Sequence, residues 1–317
     1  MPDAPARPNL VFILPDRQRR DSMACYGNDW IRTPHLNALA DQSFVFDRAY
    51  VTQPVCAPAR ASLLTGLYPP SAEMPVNRLI MPPEVETVAQ MVLDDYVTGY
   101  YGKWHLGDEI VRQRGFDEWV SIADNWWSEY TDDATKTQFS DYWHFLKDAG
   151  FEPDIDHPGG KMYSAGMRAG LPAEYQMASF LGERSSEFIH RNAERPFVLY
   201  VSSLEPHPPF TGPYDDMYDP KTLPVDETFL VPPEGGSLFN RLRAEFWQHG
   251  SHDGFDLSTE AGWRRLRANY FGNISLVDGM VGKIVEALEQ TGVADNTVLV
   301  FTSEHGDMVG SHGMLEM

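Results

Sequence analysis

Short, almost uninterrupted apolar runs recur along the chain, separated by longer amphipathic segments. The clearest runs lie at residues 9–14, 97–101, 197–201 and 297–302. Each run predicts a strand, and residues 9–14 and 197–201 predict buried strands, as in the centre of a sheet covered by helices. A further run at residues 44–51 predicts another strand, which leads into the segment around Cys56.

Segments with helical spacing of apolar residues lie between these strands. The longest is residues 259–290, and shorter helices are predicted at residues 35–42, 87–93 and 175–192. Alternating strands and helices predict an α/β fold with a predominantly parallel central sheet and helices on both faces. Because the chain shows no repeat and no clear linker, we expect residues 1–317 to form a single domain.

Two long stretches break this alternation. In residues 124–170 the periodicity fails and aromatic residues accumulate, namely Trp126, Trp127, Tyr130, Tyr142 and Trp143. Such side chains are suited to stacking on a sugar or aryl group, or to filling a small core of their own. Residues 214–254 are rich in Pro, Gly and Asp and are predicted to form a second excursion from the sheet.

A helix is predicted to begin beside Cys56. Pro58 suits a first helical turn, in which its missing N–H is not needed, and Gly66 suits the end of the helix. Cys56 would then lie at the positive end of the helix dipole, with Arg60 one turn further along the same face. This arrangement is suited to holding an anion. The alternative is a buried cysteine before an ordinary helix.

Polar residues follow four of the predicted strands. They are Asp16, then Lys103 and His105, then His207, and finally Glu304 and His305. Since ligands bind at the carboxyl ends of strands in such sheets, we expect these side chains to converge near Cys56. Lys103 and His105 share a face if the chain is extended. Asp16, Glu304 and His305 suit Ca²⁺ or Mg²⁺, and the imidazole widens the choice to Mn²⁺.

Composition limits the partners and the compartment. Lys and Arg number 25 against 46 Asp and Glu, so the net charge of -21 opposes broad attraction to nucleic acid or an anionic membrane. Positive charge for an anionic substrate must therefore be local. The only two cysteines, Cys25 and Cys56, exclude a disulfide framework. No apolar run is long enough to span a bilayer or to resemble a signal peptide, so the expected location is the cytoplasm.

The segment Cys56-x-Pro58-x-Arg60 followed by Thr65-Gly66 resembles the sulfatase signature at every fixed position. Residues 99–107, Gly-Tyr-Tyr-Gly-Lys-Trp-His-Leu-Gly, resemble the family's second signature, and the resemblance extends over residues 9–317. It implies an alkaline-phosphatase-like fold and hydrolysis of a sulfated small molecule or carbohydrate. It also implies that a formylglycine-generating enzyme oxidises Cys56 to formylglycine, whose hydrated aldehyde is the nucleophile.

The resemblance also implies residue roles. Lys103 would neutralise sulfate oxygens, and His105 would hydrogen-bond the hydroxyl of the nucleophile. His207 would contact the sulfate or protonate the leaving oxygen, and Arg60 would organise the surroundings of the formylglycine. A divalent metal, usually Ca²⁺, would be bound by four residues: Asp16, Cys56, Glu304 and His305. Since many sulfatases are exported, the cytoplasmic expectation stays open.

Three departures from the family pattern leave alternatives open. Arg17 stands where the family usually has Asp or Gln, Glu304 replaces Asp, and Met317 stands where a second catalytic lysine is usual. From the resemblance we also expect the smaller C-terminal subdomain of the family to be missing from these 317 residues. The chain therefore fits a sulfatase, a hydrolase of phosphonate monoesters or phosphodiesters with the same nucleophile, or a catalytically impaired protein that binds sulfated ligands.

Overall fold

The computed structural model describes residues 7–124, 129–155 and 163–317. Within these residues the main sheet is built from five strands: β1 (Asn9–Ile13), β2 (Val97–Gly102), β3 (Glu118–Val120), β4 (Phe197–Ser202) and β7 (Thr297–Phe301). Their order is β3-β2-β4-β1-β7, and every pairing is parallel. A separate antiparallel pair is formed by β5 (Ser251–His252) and β6 (Phe255–Asp256). Strands β1, β2, β4 and β7 were predicted, whereas β3 was not.

The α-helices of the described residues are α1 (Pro34–Asp41), α2 (Cys56–Thr65), α3 (Val88–Met91), α4 (Asp141–Asp148), α5 (Ala165–Gly170), α6 (Met177–Asn192), α7 (Leu238–Gln248) and α8 (Glu260–Gln290). Short 3₁₀ turns lie at Arg20–Ser22, Ala24–Tyr26, Thr135–Thr137, Ala173–Tyr175 and Ala294–Asn296. Among the described residues, no helix is both long enough and apolar enough to cross a bilayer.

Helices cover both faces of the sheet. On one face, α6 and α8 pack against each other and against strand residues such as Val11, Leu199 and Val201. On the other face, α2 and α3 pack over Tyr100 and Tyr200. β2 and β4 are buried at every position because each face of the sheet has its own helical layer, whereas the edge strand β7 is only partly buried. This confirms the predicted α/β architecture.

The prediction of a strand at residues 44–51 is wrong. This segment has no regular secondary structure, and Phe44, Phe46 and Tyr50 are 82%, 65% and 85% exposed. Its sequence suits a strand, but it pairs with none of the five strands of the main sheet. Because no neighbouring strand pairs with it, the segment remains an exposed approach to α2.

The two irregular stretches contain more helix than their sequences indicate. Tyr142 and Trp143 lie in α4, and the Tyr142 side chain is buried in the core beside α6. Tyr142 therefore fills the core rather than offering a stacking surface. Trp126, Trp127 and residues 158–160 lie outside the described residues. The second stretch, residues 214–254, contains α7, which was not predicted.

Candidate active site

The loops after β1, β2, β4 and β7 are joined by backbone hydrogen bonds that continue beyond the strands. Asp16 N donates to Ser203 O at 3.2 Å, Lys103 N to Ser202 O at 3.0 Å, and Glu304 N to the carbonyl of Pro15 at 3.3 Å. The strand ends are level in register, so residues far apart in sequence start from neighbouring positions. The structure thus brings the predicted residues of all four loops to one edge of the sheet.

Cys56 is the first residue of α2 and is 2% exposed. Its Sγ lies 3.4 Å from His305 Nε2. In the first turn of α2, Asn77 Oδ1 accepts from Ala57 N at 2.9 Å and Pro58 has no N–H, so neither residue offers an N–H group to a ligand. Burial and the carboxylates of Asp16 and Glu304 raise the pKa of the Cys56 thiol.

Lys103 and Arg60 are buried cations that contact the acidic side chains next to Cys56. Lys103 Nζ donates to Asp16 Oδ2, and Arg60 Nε contacts Glu304 Oε2. Arg60 Nη1 also donates to Ser202 Oγ at 2.6 Å and to Lys103 O at 2.7 Å. Burial alone would raise the pKa of Asp16, but the charges of Lys103 and Arg60 hold it well below its usual range. Asp16 is therefore ionised at neutral pH.

The predicted metal ligands lie together. One ligand atom from each of Asp16, Cys56, Glu304 and His305 lies within 4.8 Å of the others, and all four residues are buried. Asp16 Oδ1 is buried without a hydrogen-bond partner among the described residues. His305 Nδ1 donates to the Gly306 carbonyl at 2.7 Å, which leaves Nε2 facing the cluster. Two carboxylates and an imidazole in this arrangement fit a divalent cation such as Ca²⁺, Mg²⁺ or Mn²⁺.

The raised pKa of His305 indicates that its Nε2 lies where a positive charge is stabilised. Burial opposes protonation, but hydrogen bonds to Cys56 and Glu304, together with the charge of Glu304, raise the pKa of His305 to about 11. Its Nε2 is 3.1 Å from Glu304 Oε1 and 3.9 Å from Asp16 Oδ1. A proton at Nε2 occupies the centre of the acidic cluster, so a metal ion that binds there must displace it.

The loop after β2 is tightly turned. His105 has φ 58°, so Lys103 and His105 do not share a face through an extended chain as the sequence predicted. Buried Glu109 accepts from Trp104 N at 2.9 Å and from His105 N at 2.7 Å. Burial raises the pKa of Glu109 to about 7 despite these bonds. Burial, followed by the charges of Lys103 and Arg60, lowers the pKa of His105 well below its usual value, so its imidazole is neutral.

His207 is also neutral, and its tautomer can be assigned from its partners. Nδ1 is 2.8 Å from the Pro208 carbonyl, which only accepts, so Nδ1 carries the proton. Nε2 then accepts from Arg17 Nη2 at 3.2 Å. Burial and the charge of Arg17 lower the pKa of His207 well below its usual value. In this arrangement Nε2 has no proton to donate.

Four contributors to the site were assigned no role in it from the sequence: Arg17, Asp307, Glu109 and Ser202. Arg17 points inward and is 4% exposed, and its Nη1 is 3.0 Å from Asp307 Oδ2. Glu109 orients the loop after β2, and Ser202 orients Arg60. Asp307 lies three residues after Glu304 in a polar run, and this position could have indicated that Asp307 would lie near the site. The signal for Glu109 was weak, because it lies in an ordinary polar stretch.

Sequence comparison identifies the family. The sulfatase family model matches residues 8–316. The chain is 29% identical to the ulvan-active sulfatase of Formosa agariphila over 98% of its own length and 52% of that protein. It is also 29% identical to the arylsulfatase of Clostridium perfringens, over 96% of its own length and 64% of the relative. The chain thus spans about half to two thirds of these relatives.

Solved structures agree on the fold. Phosphonate monoester hydrolase of Agrobacterium radiobacter superposes with a TM-score of 0.74 at 23% identity, over 98% of this chain and 64% of the other. Structural similarity at this level of identity supports an alkaline-phosphatase-like fold and does not by itself establish a reaction. The family match, in contrast, covers both the cysteine segment and the late acidic segment whose side chains meet in the structure. The chain belongs to the sulfatase family.

Proposed function

We propose that the protein hydrolyses sulfate monoesters of a carbohydrate or of a small aryl or alkyl alcohol, with a formylglycine made from Cys56 as the nucleophile. The cluster of Asp16, Glu304, Lys103 and Arg60 around Cys56 carries this proposal. A thiol whose pKa is raised is a poor nucleophile at neutral pH. The site therefore suits an oxidised residue 56 that attacks through oxygen rather than through sulfur.

Two groups would be added to the polypeptide before it acts. A divalent cation held by Asp16, Glu304, His305 and residue 56 would stabilise charge on the ester oxygens, with Ca²⁺ as the first candidate and Mg²⁺ or Mn²⁺ as alternatives. The hydrated aldehyde of formylglycine would supply one hydroxyl that forms a bond to sulfur as the bond between sulfur and the alcohol oxygen breaks, and its second hydroxyl would then expel sulfate and restore the aldehyde. A formylglycine-generating enzyme is the partner that this maturation requires.

The other residues bind and orient. Lys103 offers a buried positive charge to the sulfate oxygens, and Asp16 fixes its position. Arg60 holds Glu304 and the loop after β2 in place, so its contribution is organisation of the site. His105 and His207 are neutral. Because the Nδ1 proton of His207 is held by the Pro208 carbonyl, its Nε2 can only accept, which suits a contact with a hydroxyl group. Each role depends on the geometry that the level strand ends provide.

The test is turnover by protein produced together with a maturation enzyme. Mass spectrometry of the peptide containing residue 56 measures conversion of the thiol to the aldehyde, and release of nitrophenol from nitrophenyl sulfate measures activity. Cys56→Ala is the matched control, because alanine retains the helix and cannot be oxidised. We expect sulfate release from the matured protein and none from Cys56→Ala. Fully converted residue 56 without sulfate release in the presence of Ca²⁺, Mg²⁺ or Mn²⁺ would refute the proposal.

Phosphonate monoesters and phosphodiesters form a second candidate substrate class. The superposition on a phosphonate monoester hydrolase and the presence of Arg17 beside Asp16 favour it. The same matured protein distinguishes the two classes when a phenylphosphonate monoester replaces nitrophenyl sulfate. A larger kcat/KM for the phosphonate would reassign the substrate, and binding of both esters without turnover would identify a protein that only binds sulfated ligands.

A further inference from the structure

Arg17 has an unusual backbone conformation and a buried side chain. Its φ is 68°, a region that residues other than glycine rarely adopt, and the residue is 4% exposed. The Arg17 carbonyl accepts a hydrogen bond from the Tyr270 hydroxyl of α8 at 2.8 Å. The same hydroxyl accepts from Arg19 N at 2.8 Å. The long central helix therefore holds both sides of this strained turn, and the Arg17 side chain enters the site.

Two contacts fix the Arg17 guanidinium. Nη1 donates to Asp307 Oδ2 at 3.0 Å, and Nη2 donates to His207 Nε2 at 3.2 Å. Asp307 is itself fixed, because its Oδ1 accepts from the backbone N–H groups of Val309 and Glu316 at 3.0 Å each. The guanidinium therefore has a defined orientation before any ligand arrives, which reduces the entropy lost on binding.

The guanidinium retains unused donors. Arginine has five N–H bonds, and Arg17 Nε is buried without a hydrogen-bond partner among residues 7–124, 129–155 and 163–317. A buried cationic donor without a partner is costly, so such a group commonly marks a ligand position. Another carboxylate oxygen, Glu316 Oε1, lies 4.0 Å from Nη2, and the Glu316 side chain is 38% exposed. Glu316 is therefore free to turn toward solvent.

Arg17 also lies within electrostatic range of the nucleophile. Burial opposes its charge, but Asp307, Asp16 and Cys56 outweigh burial and raise the pKa of Arg17. The two other cations of the site already contact carboxylates of the metal cluster, since Lys103 contacts Asp16 and Arg60 contacts Glu304. Arg17 has a different anchor, Asp307, and so adds a positive charge from outside that cluster.

We propose that Arg17 binds an anionic oxygen of the ester group and that Asp307 is its positioning residue. This inference rests on the proposed function, since it assigns one further contact to the same substrate. Planar guanidinium donors suit a tetrahedral oxyanion because two N–H groups bind neighbouring oxygens together. His207 then has a second role, because its Nε2 keeps Nη2 directed into the site.

The test is binding of inorganic sulfate to protein whose Cys56 has not been oxidised, measured by calorimetry in the presence of a chelator. We compare the parent with Arg17→Gln, Arg17→Lys and Arg17→Gly. Glycine tolerates φ 68°, so this variant removes the side chain without straining the turn. The matched control is Arg20→Gln, because Arg20 is exposed and stacks on Tyr26, 4.1 Å from the ring centroid.

Loss of a charge-assisted contact should weaken sulfate binding about 10- to 100-fold in Arg17→Gln and Arg17→Gly. Arg17→Lys should be intermediate, and Arg20→Gln should match the parent. Added guanidinium chloride should restore binding to Arg17→Gly, whereas sodium chloride of the same ionic strength should not. A role in folding alone would move the melting temperature without producing this rescue.

Asp307→Asn supplies the test of positioning. Asparagine can still accept from the two backbone N–H groups but loses the ion pair with Arg17, so KM for nitrophenyl sulfate should rise while kcat changes less. Unchanged sulfate affinity in Arg17→Gln, equal rescue by both salts, or no sulfate binding by the parent would each overturn the inference. Sulfate binding through Arg17 without ester turnover after maturation would instead refute the proposed function alone.

Discussion

Arg60 offers the sharpest stability test of the site, because its side chain and both of its acidic neighbours are fully buried. Arg60→Met removes the cation and keeps most of the apolar volume. Glu304 then loses its guanidinium partner, and Ser202 Oγ and the Lys103 carbonyl lose their donor. Removing one partner of a buried ion pair typically costs about 3–5 kcal/mol, since the remaining charge stays out of water.

This loss is measurable by thermal and urea unfolding at neutral pH in the presence of a chelator. At about 2 °C per kcal/mol for a large domain, Arg60→Met should lower Tm by about 6–10 °C. Arg191→Gln is the control, because Arg191 pairs with Glu118 at 2.6 Å while 52% and 33% exposed, respectively. An exposed pair contributes about 1 kcal/mol or less, so this control should lose about 2 °C at most.

A double variant identifies the cause. If the uncompensated Glu304 carboxylate is responsible, Arg60→Met combined with Glu304→Leu should be more stable than Arg60→Met alone, because a well-packed apolar pair can replace a buried ion pair. The reasoning would be refuted if Arg60→Met melted no lower than Arg191→Gln. It would also be refuted if the double variant lost the sum of the two single effects.

The metal, the loop after β2 and the start of α2 each give one further expectation. Ca²⁺ at one hundred times its dissociation constant should raise the free energy of unfolding by about 2.7 kcal/mol, and Asp16→Asn should remove most of this gain in a thermal melt. Folding raises the pKa of Glu109 from 4.5 to about 7. Glu109 therefore contributes its full stabilisation to the folded state below about pH 4.5, and the free energy of unfolding falls by about 3 kcal/mol as the pH rises past 7. Urea unfolding of Glu109→Gln should therefore depend less on pH over this range than unfolding of the parent. Asn77→Ala should cost about 1 kcal/mol in urea unfolding, because it removes the acceptor of Ala57 N, and an unchanged midpoint would contradict the capping role.

The sequence predicted the parts of the site that depend on parallel strands. Asp16, Lys103 and Glu304 lie shortly after parallel strands of the sheet, and parallel strands place their carboxyl ends at the same edge. The apolar runs that identify such strands are local features, so they are readable without a structure. The sulfatase resemblance and the geometry then agree on the residues that surround Cys56.

The parts that the sequence did not predict depend on distant partners. The inward direction of Arg17 depends on Tyr270, which is 253 residues away, and on Asp307. The segment at residues 44–51 has a strand-like pattern, but a pattern does not show whether the segment will pair with another strand. The conformation of the loop after β2 similarly depends on one buried acceptor, the Glu109 carboxylate. These are tertiary effects that no local window of sequence contains.

The charge distribution explains how so acidic a protein can hold an anion. The net charge of -21 is a property of the whole chain, whereas Arg17, Arg60 and Lys103 are buried beside Cys56. Repulsion from exposed carboxylates falls off within about 8 Å at physiological ionic strength, because salt screens charges that face water. Buried charges are screened less and interact through a lower dielectric constant. Each of these cations is paired with a buried carboxylate, and a divalent cation bound at Asp16, Glu304 and His305 would offset two of those carboxylates. An anionic ester that entered the site would then meet the three fixed cations at short range, while most of the surface charge is too far away and too well screened to oppose binding.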